Sequence, residues 1–447
     1  MTCIYASRSD GLGERLNAIF NGLLISELLS LDFKFCWPKN NITGSPFQSL
    51  SEVHEIFSES FILEYFVDEK DVPQGSTLRV SGRASYKEMS ISLREQISKG
   101  AVITTQQEVL KKIIEKEFRH KILLHIRDKL RFTGALQAAL DGALRSKNSE
   151  RFVAIHIRAG DIVYGKFSER PFFYKKIIPT PMVLPLLESL RAEGHNIALF
   201  GQETEFIDLV TADFGLVNPR SSFVDHEKTP LNLAFEDLCG MGMAEKIVCG
   251  SSGFPRFSAQ YFGVPIISPW SILPKGEDIN KLANFILDAN FNASYFSVEQ
   301  RACGLFMAFQ LNKKNTTYEK LNSFIEGAVR LVPDNKMYQL WDVLNKIRFG
   351  KFREADEKFF IRFSELNLSS ISDFRKNRFA RILGLKEISG KKELTYAEYY
   401  SYIQEGASKS LACGALLVFF EKRGITMLQN DLEVLKGWQE KFKNRIY

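Results

Sequence analysis

His156, Arg158 and Asp161 close an otherwise apolar stretch in the run His156-Ile157-Arg158-Ala159-Gly160-Asp161. The residues before it, Phe152 to Ile157, are mostly apolar and rich in β-branched types, which suits a central parallel strand buried on both faces. In a strand, His156 and Arg158 point to the same side. An arginine at such a strand end is fitted to a pyrophosphate, because its planar fork makes two charge-assisted bonds at once. Gly160 would let the backbone turn tightly or approach a ligand closely. The plainer reading is a salt-bridging arginine. Three polar residues ending so apolar a strand are less easily explained by packing.

Two further segments have the chemistry of an anion site. Asp10-Gly11-Leu12-Gly13-Glu14-Arg15 stands between a predicted strand and a predicted helix that contains Asn17. A glycine turn there can aim backbone N–H groups at an anion, with Arg15 or Arg8 facing in. The third glycine of a dinucleotide fingerprint is replaced by Leu16, so that motif fails. The alternative is a tight turn with Asp10 capping the helix. Ser251-Ser252-Gly253 follows the strand-like KIVCG and precedes a helical stretch. Hydroxyls and amides placed so can cradle a phosphate, or the serines can simply cap. There is no G-x-S-x-G elbow, P-loop, H-E-x-x-H or D-x-D sequence, and His195 and His226 stand isolated.

The elements that must position these segments follow from periodicity. TCIYAS, a glycine turn, the helix LNAIFNGLLISELLSL and DFKFCW read as a strand–helix–strand unit. Leu16, Ile19, Phe20, Leu23, Leu24 and Leu28 lie on or near one face of that helix. TLRVSG and AVITT read as strands, and residues 108–146 as helices with one break. From Arg151 on, strands (FVAIHI, NIALFG, KIVCGS, VPIISP) alternate with helices (180–193, TEFIDLVTADFG, 234–243, GFPRFSAQYFG), as in a second doubly wound α/β domain. From about Ser297 the chain reads as helices: KMYQLWDVLNKIRF, FREADEKFFIRFSEL, 397–420 and DLEVLKGWQEKFKN. Gly350 to Ala355 resembles the turn of a tetratricopeptide hairpin, with no clear second copy at that period. The expected domains are 1–148, 149–296 and 297–447.

The 447 residues, 45% apolar and 25% charged, describe a folded chain with a large core. The 37 Phe are read as core filler. Six scattered Cys form no metal-binding spacing, and the N-terminus has no signal-peptide pattern. The expectation is a cytoplasmic protein with reduced thiols and no glycan on its Asn-X-Ser/Thr triplets. The formal charge of +6 resides in the segment after about Leu331. That basic tail could touch anionic lipid at the inner membrane face, an acidic partner or a second copy of the chain, or be an ordinary solvated helix surface. Nothing in the sequence suggests nucleic-acid binding.

Taken together, His156 to Asp161, Gly11-Leu12-Gly13-Glu14-Arg15-Leu16-Asn17, and Ser251-Ser252-Gly253-Phe254 through Gly263-Val264-Pro265 resemble, in order and spacing, the fucosyltransferase superfamily. That superfamily includes the α1,2-, α1,6- and protein O-fucosyltransferases and the bacterial nodulation fucosyltransferase. The resemblance covers roughly residues 1–270. It implies a GT-B fold, two Rossmann-like domains facing a cleft, with a helical C-terminal region added. It implies inverting, metal-independent transfer of a sugar, fucose above all, from a GDP-sugar to a glycan or lipid-linked glycan acceptor, with no cofactor. Carried over, Arg158 binds the β-phosphate, and His156 meets the phosphate or ribose. Ser251, Ser252 and Gly253 hold phosphates, Gly160 and Asp237 lie near the donor, and Asp161 orients the first two residues. Ala159 stands where many members have a second arginine. Asp10, Gly11, Gly13, Arg15 and Asn17 form the cleft loop that meets the acceptor and the leaving phosphate. Glu14 is the leading candidate base, ahead of Asp10 and Asp161. The competing readings are a GT-B transferase of another nucleotide sugar and a non-catalytic interaction protein.

Overall fold

The computed structural model describes residues 3–38, 51–73, 77–78, 91–92, 94–96, 98, 102–103, 119–147, 151–165, 167–219, 229–273, 284, 295–313, 316–363, 385–388, 391–394, 402–403, 405–406, 409–410, 412–413 and 416. These fall into two compact units. One joins residues up to Arg158 with Leu186–Ile272, and the other joins Ala159–Pro185 with the chain from Leu273.

The first unit is mixed α/β and holds two parallel four-stranded sheets. β1 (Cys3–Ala6), α1 (Leu12–Leu29) and β2 (Asp32–Phe35) form the expected opening unit. α2 (Glu59–Tyr65), β3 (Thr77–Leu78) and β4 (Val102–Ile103) follow, and the sheet order is β2-β1-β4-β3. α3 (Arg119–Lys129) and α4 (Gly134–Ser146) lead into β5 (Val153–Ile157), which is buried at every residue. The second sheet adds α5 (Val183–Ala192), β6 (Ile197–Gly201) and α6 (Thr204–Phe214). It continues with α7 (Pro230–Met243), β7 (Lys246–Cys249), α8 (Gly253–Phe262) and β8 (Ile266–Ile267), in the order β6-β5-β7-β8. β5 is thus a central strand, as its β-branched composition requires.

Two separate Rossmann-like domains are not clearly present. One hydrophobic core runs without a break from Ile4 and Phe35 beside the first sheet to Ile247 and Phe257 beside the second. Phenylalanines build the joint. Phe132 stacks on Phe57 at 5.6 Å on one side and meets Phe235 edge-on at 5.4 Å on the other. α1 lies within this joint. Its predicted apolar stripe is buried except for half-buried Leu28, but so is every other residue from Gly13 to Ser26, because it packs on β1, β2, α3 and α8 together. It is not a surface helix. Its buried amides therefore need partners, and Gln260 supplies one, donating to Asn21 Oδ1 at 2.8 Å.

The second unit is mainly helical. α9 (Val298–Asn312), α10 (Tyr318–Leu331), α11 (Lys336–Arg348) and α12 (Phe352–Phe363) pack each on the next. Ser297 caps α9 by accepting from Gln300 N, and Asn335 caps α11 by accepting from the amides of Met337 and Tyr338. Gly350, at φ 70°, lets the chain reverse into α12. α10 and α12 start thirty-four positions apart, and half-buried Tyr318 with buried Leu321 and Ile325 is matched by Phe352, Ala355 and Phe359. The second hairpin copy, not evident in the sequence, exists as a repeat of buried positions rather than of residue identities. Lys346, Lys358 and Arg362 converge on the buried Asp342 carboxylate at 2.6–3.0 Å and tie α11 to α12. Part of the tail's basic excess is therefore paired within the helices. An antiparallel pair, β9 (Leu385–Ile388) and β10 (Lys391–Leu394), adds strands not expected there. Residues 402–403, 405–406, 412–413 and 416 of the expected helix at 397–420 are helical, and DLEVLKGWQEKFKN lies outside the described residues.

Candidate functional site

In parallel sheets the carboxyl ends of all strands share one edge, and ligands bind where the strand order reverses direction. In the second sheet the chain moves from β5 to β6 on one side and then crosses to β7 on the other, so the reversal falls between β5 and β7. His156 pairs with Cys249 across these strands. Arg158 and Ser251 are each two residues further on, just past the last paired residues of the two strands. The two segments singled out by residue type thus flank the switch point. In the first sheet the reversal falls between β1 and β4, and β1 leads directly into Arg8, Asp10 and Gly11.

Ser252 occupies the N-cap position of α8 but makes no side-chain capping bond. Its amide donates to Gly250 O at 2.8 Å. The Ser251 hydroxyl is buried and makes no hydrogen bond among the described residues. The capping explanation for these serines therefore does not hold. The start of α8 presents the amides of Gly253, Phe254 and Arg256, interrupted only by Pro255, and has no acidic residue of its own in its first turn. Such a helix start can bind an anion.

His156 is buried beside it. Its ring lies 5.7 Å from that of Phe254, and its Nδ1 makes no hydrogen bond. Burial, and after it the Arg158 charge, pushes the imidazole down to about 3. His156 is therefore neutral at pH 7, and the positive charge at the end of β5 is that of half-buried Arg158. Asp237 is buried on α7 and accepts from Gly201 N at 3.2 Å. Gly201 ends β6 at φ 142°, and a Cβ there would land on the carbonyl oxygen of Ile157. Asp237 thus braces the edge where β5 and β6 end together.

Gly13, Glu14, Arg15 and Asn17 do not form a loop. α1 starts at Leu12 with Gly11 as its N-cap, so all four lie in its first turns. Asp10 does not cap the helix. Its carboxylate pairs with Arg8. Arg15 is committed to the segments that follow β1 and β2. It is buried, donates to Asp10 O at 2.7 Å and Pro38 O at 2.8 Å, lies over the Trp37 ring, and is lowered to about 10 by burial. The other three residues meet α8. Asn17 donates to Gly13 O at 2.6 Å and Gly253 O at 2.7 Å, and a Cβ on Gly13 would sit 2.6 Å from Phe254 N. The Glu14 carboxyl fills the space that a Cβ on Gly253 would take. The starts of α1 and α8 are thus in direct contact. Phe254, which residue reasoning had not singled out, is central to that contact, and its position after Ser251-Ser252-Gly253 was the available signal.

Ala159, Gly160 and Asp161 belong to the second compact unit. Gly160 has φ 40° and opens the short helix Gly160–Val163, and Asp161 is buried. Gly165 packs so closely that its Cβ would be 2.9 Å from the Asp161 Cα.

Among the described residues, no group of three or more His, Cys, Asp or Glu side chains could hold a metal ion, and no helix is long and apolar enough to cross a membrane.

No protein-family model and no curated protein matches the chain. Solved structures give a weak likeness. Fucosyltransferase NodZ from Bradyrhizobium is 12% identical over 60% of this chain and 95% of its own, with a TM-score of 0.33. A variant of Arabidopsis thaliana FUT1 in complex with GDP is 11% identical over 60% and 69%, with a TM-score of 0.35. POFUT1 in complex with GDP-fucose is 12% identical over 60% and 96%, with a TM-score of 0.30.

Proposed function

We propose that the protein is a glycosyltransferase that moves a sugar, fucose, from a GDP-sugar to a glycan acceptor with inversion and without a metal ion. The observation that carries this reading is the placement of Arg158 and Ser251–Gly253 on either side of the β5/β7 switch point, with the amides of α8 behind them. Such a set suits a diphosphate, and the sequence resemblance supplies the guanine nucleotide and the sugar. In the reaction, the bond between the sugar C1 and the β-phosphate oxygen breaks, and its electron pair leaves on GDP. The acceptor oxygen bonds to C1 and releases its proton. Arg158 and the α8 amides interact most strongly as charge grows on the leaving diphosphate, which is what lowers a barrier. Neutral His156 packs behind the site or contacts the ribose. Gly160 and Asp161, next in sequence, belong to the segment that the sequence resemblance assigns to the donor.

Glu14 is the proposed base. Its carboxyl lies beside the first turn of α8, so it would act close to the diphosphate end. Glu14→Gln should lower transfer while leaving GDP binding intact or tighter, since an anion next to an anion site is removed. An unchanged transfer rate and acceptor affinity would eliminate the role.

The whole reading is tested by thermal shift and calorimetry with GDP, UDP, ADP and CMP. Stabilisation by GDP alone is expected, and Arg158→Ala should abolish it and reduce transfer from GDP-fucose by about 10²–10³-fold. A response to UDP in place of GDP would move the donor to another nucleotide sugar. No response to any of the four would overturn the assignment.

A further inference from the structure

The second helices of the hairpins α9–α10 and α11–α12 start thirty-four positions apart, and the first helices thirty-eight, close to the period of repeats that commonly present the faces of their first helices to a peptide. Here those first helices are covered. Residues 302–309 of α9 and 337–347 of α11 are buried all round. Part of the cover is the chain's own segment Tyr164–Thr180, in the same compact unit. Tyr174 is inserted between the helices, edge-on to Phe306 at 4.9 Å, with its hydroxyl 2.8 Å from that of Tyr338. The same Tyr174 hydroxyl donates to Ser168 O at 3.0 Å.

The segment also engages the N-terminus of each first helix. At α11, Asn335 caps the helix with its side-chain oxygen and donates from Nδ2 to Ser168 O at 3.2 Å. The Glu169 carboxylate accepts from Lys336 N at 3.1 Å, where the helix end favours an anion. At α9, the Tyr164 hydroxyl lies 3.2 Å from the capping Ser297 hydroxyl, and Thr180 N donates to Gln300 Oε1 at 3.1 Å. The N-termini of two successive first helices thus engage one segment of chain, which includes the 3-10 turn Pro171–Lys176. That segment follows the short helix Gly160–Val163, and the Phe167 amide donates back to Asp161 O at 2.9 Å.

We infer that the helical repeat is an internal clamp whose peptide is the chain's own 164–180 segment, with Asn335 and Tyr338 as positioning residues for the Gly160-Asp161 turn. The link to donor binding rests on the function proposed above. The clamp itself does not.

Hydrogen exchange on the full chain tests the clamp. The amides of 167–174 should be protected in the unmodified protein. Asn335→Asp keeps a capping oxygen for Met337 and Tyr338 but has no N–H for Ser168 O. It should raise exchange in 167–174 at least tenfold while leaving α11 protected, and Asn335→Gln or a second change at Tyr338→Phe should give an intermediate effect. Fast exchange of 167–174 in the unmodified protein, or no change in Asn335→Asp, would overturn the clamp. The same variants are titrated with GDP. If the clamp positions the Gly160-Asp161 turn for the donor, its loss in these variants raises the GDP dissociation constant about tenfold at unchanged binding stoichiometry. A folding defect would instead lower the stoichiometry at unchanged affinity, and that outcome would refute the positioning role. If the unmodified protein binds no GDP, the proposed function fails while the exchange result still decides the clamp.

Discussion

His156 is held neutral by burial and by the neighbouring Arg158 charge, so its titration should be read as stability. In the unfolded chain it binds a proton near 6.5, and in the folded protein only near 3. Between those values the unfolded state carries the extra proton. This contribution is therefore intact above about 6.5 and declines as pH falls toward about 3, approaching about 1.4 kcal/mol per pH unit. Urea denaturation at pH 7, 6 and 5 should show a steeper acid loss in the unmodified protein than in His156→Asn, and parallel curves would contradict it. Arg158→Lys should weaken GDP about tenfold, because an ammonium cannot reproduce the two-pronged contact. Calorimetry reads that directly, and unchanged affinity would show that the fork is not used. The position of Arg158 at the end of a buried strand was legible because it depends only on the apolar run before it. Arg15 was not, although it is the same residue type in an equally suggestive segment. Its partners are the carbonyls of Asp10 and Pro38 and the ring of Trp37, and only the folded chain brings these together.

At the scale of elements, the contact between α1 and α8 depends on Gly13. A methyl group there meets the backbone of Phe254, which cannot swing aside as a side chain would. Gly13→Ala should cost about 1–3 kcal/mol of stability, whereas Gly11→Ala, with open space around it, should cost under about 1 kcal/mol. Denaturant midpoints of the two variants check this, and equal midpoints would mean that the helices can move apart freely. β5, β6 and β7 were readable because strands buried on both faces are continuous apolar runs. α1 was readable as a helix but not as a fully buried one. Its Asn17, Asn21 and Ser26 look like a solvent face until Gly253, Gln260 and Leu31 supply their hydrogen bonds. The hairpin repeat was hidden for a related reason. Packing conserves which positions are buried, and Tyr318 and Phe352 or Leu321 and Ala355 meet that demand with different side chains. The strands β9 and β10 flank a Ser389-Gly390 pair, a turn signal that the helical reading of the tail passed over.

For the molecule as a whole, a nucleotide that binds only the folded state must stabilise it. GDP at a hundred times its dissociation constant should add about 2.7 kcal/mol, and the gain should disappear in Arg158→Ala. Denaturation with and without GDP measures it, and an equal gain in both proteins would place the nucleotide elsewhere. The alternation of strands and helices was enough to indicate an α/β chain with a helical C-terminal part. The compact units themselves follow contacts between residues far apart in sequence, and a linear reading has no access to those. The chain leaves the first unit after Arg158, re-enters at Leu186 and leaves again after Ile272. This path constrains how the protein can be cut. A shortened protein ending at Ile272 would keep Ala159–Pro185 but deprive Tyr174 of Phe306 and Tyr338, and Thr180 of Gln300. The useful fragment for expression is therefore not a contiguous stretch of gene. It would need Ala159–Pro185 replaced by a short polar bridge, or the missing helices supplied as a second polypeptide.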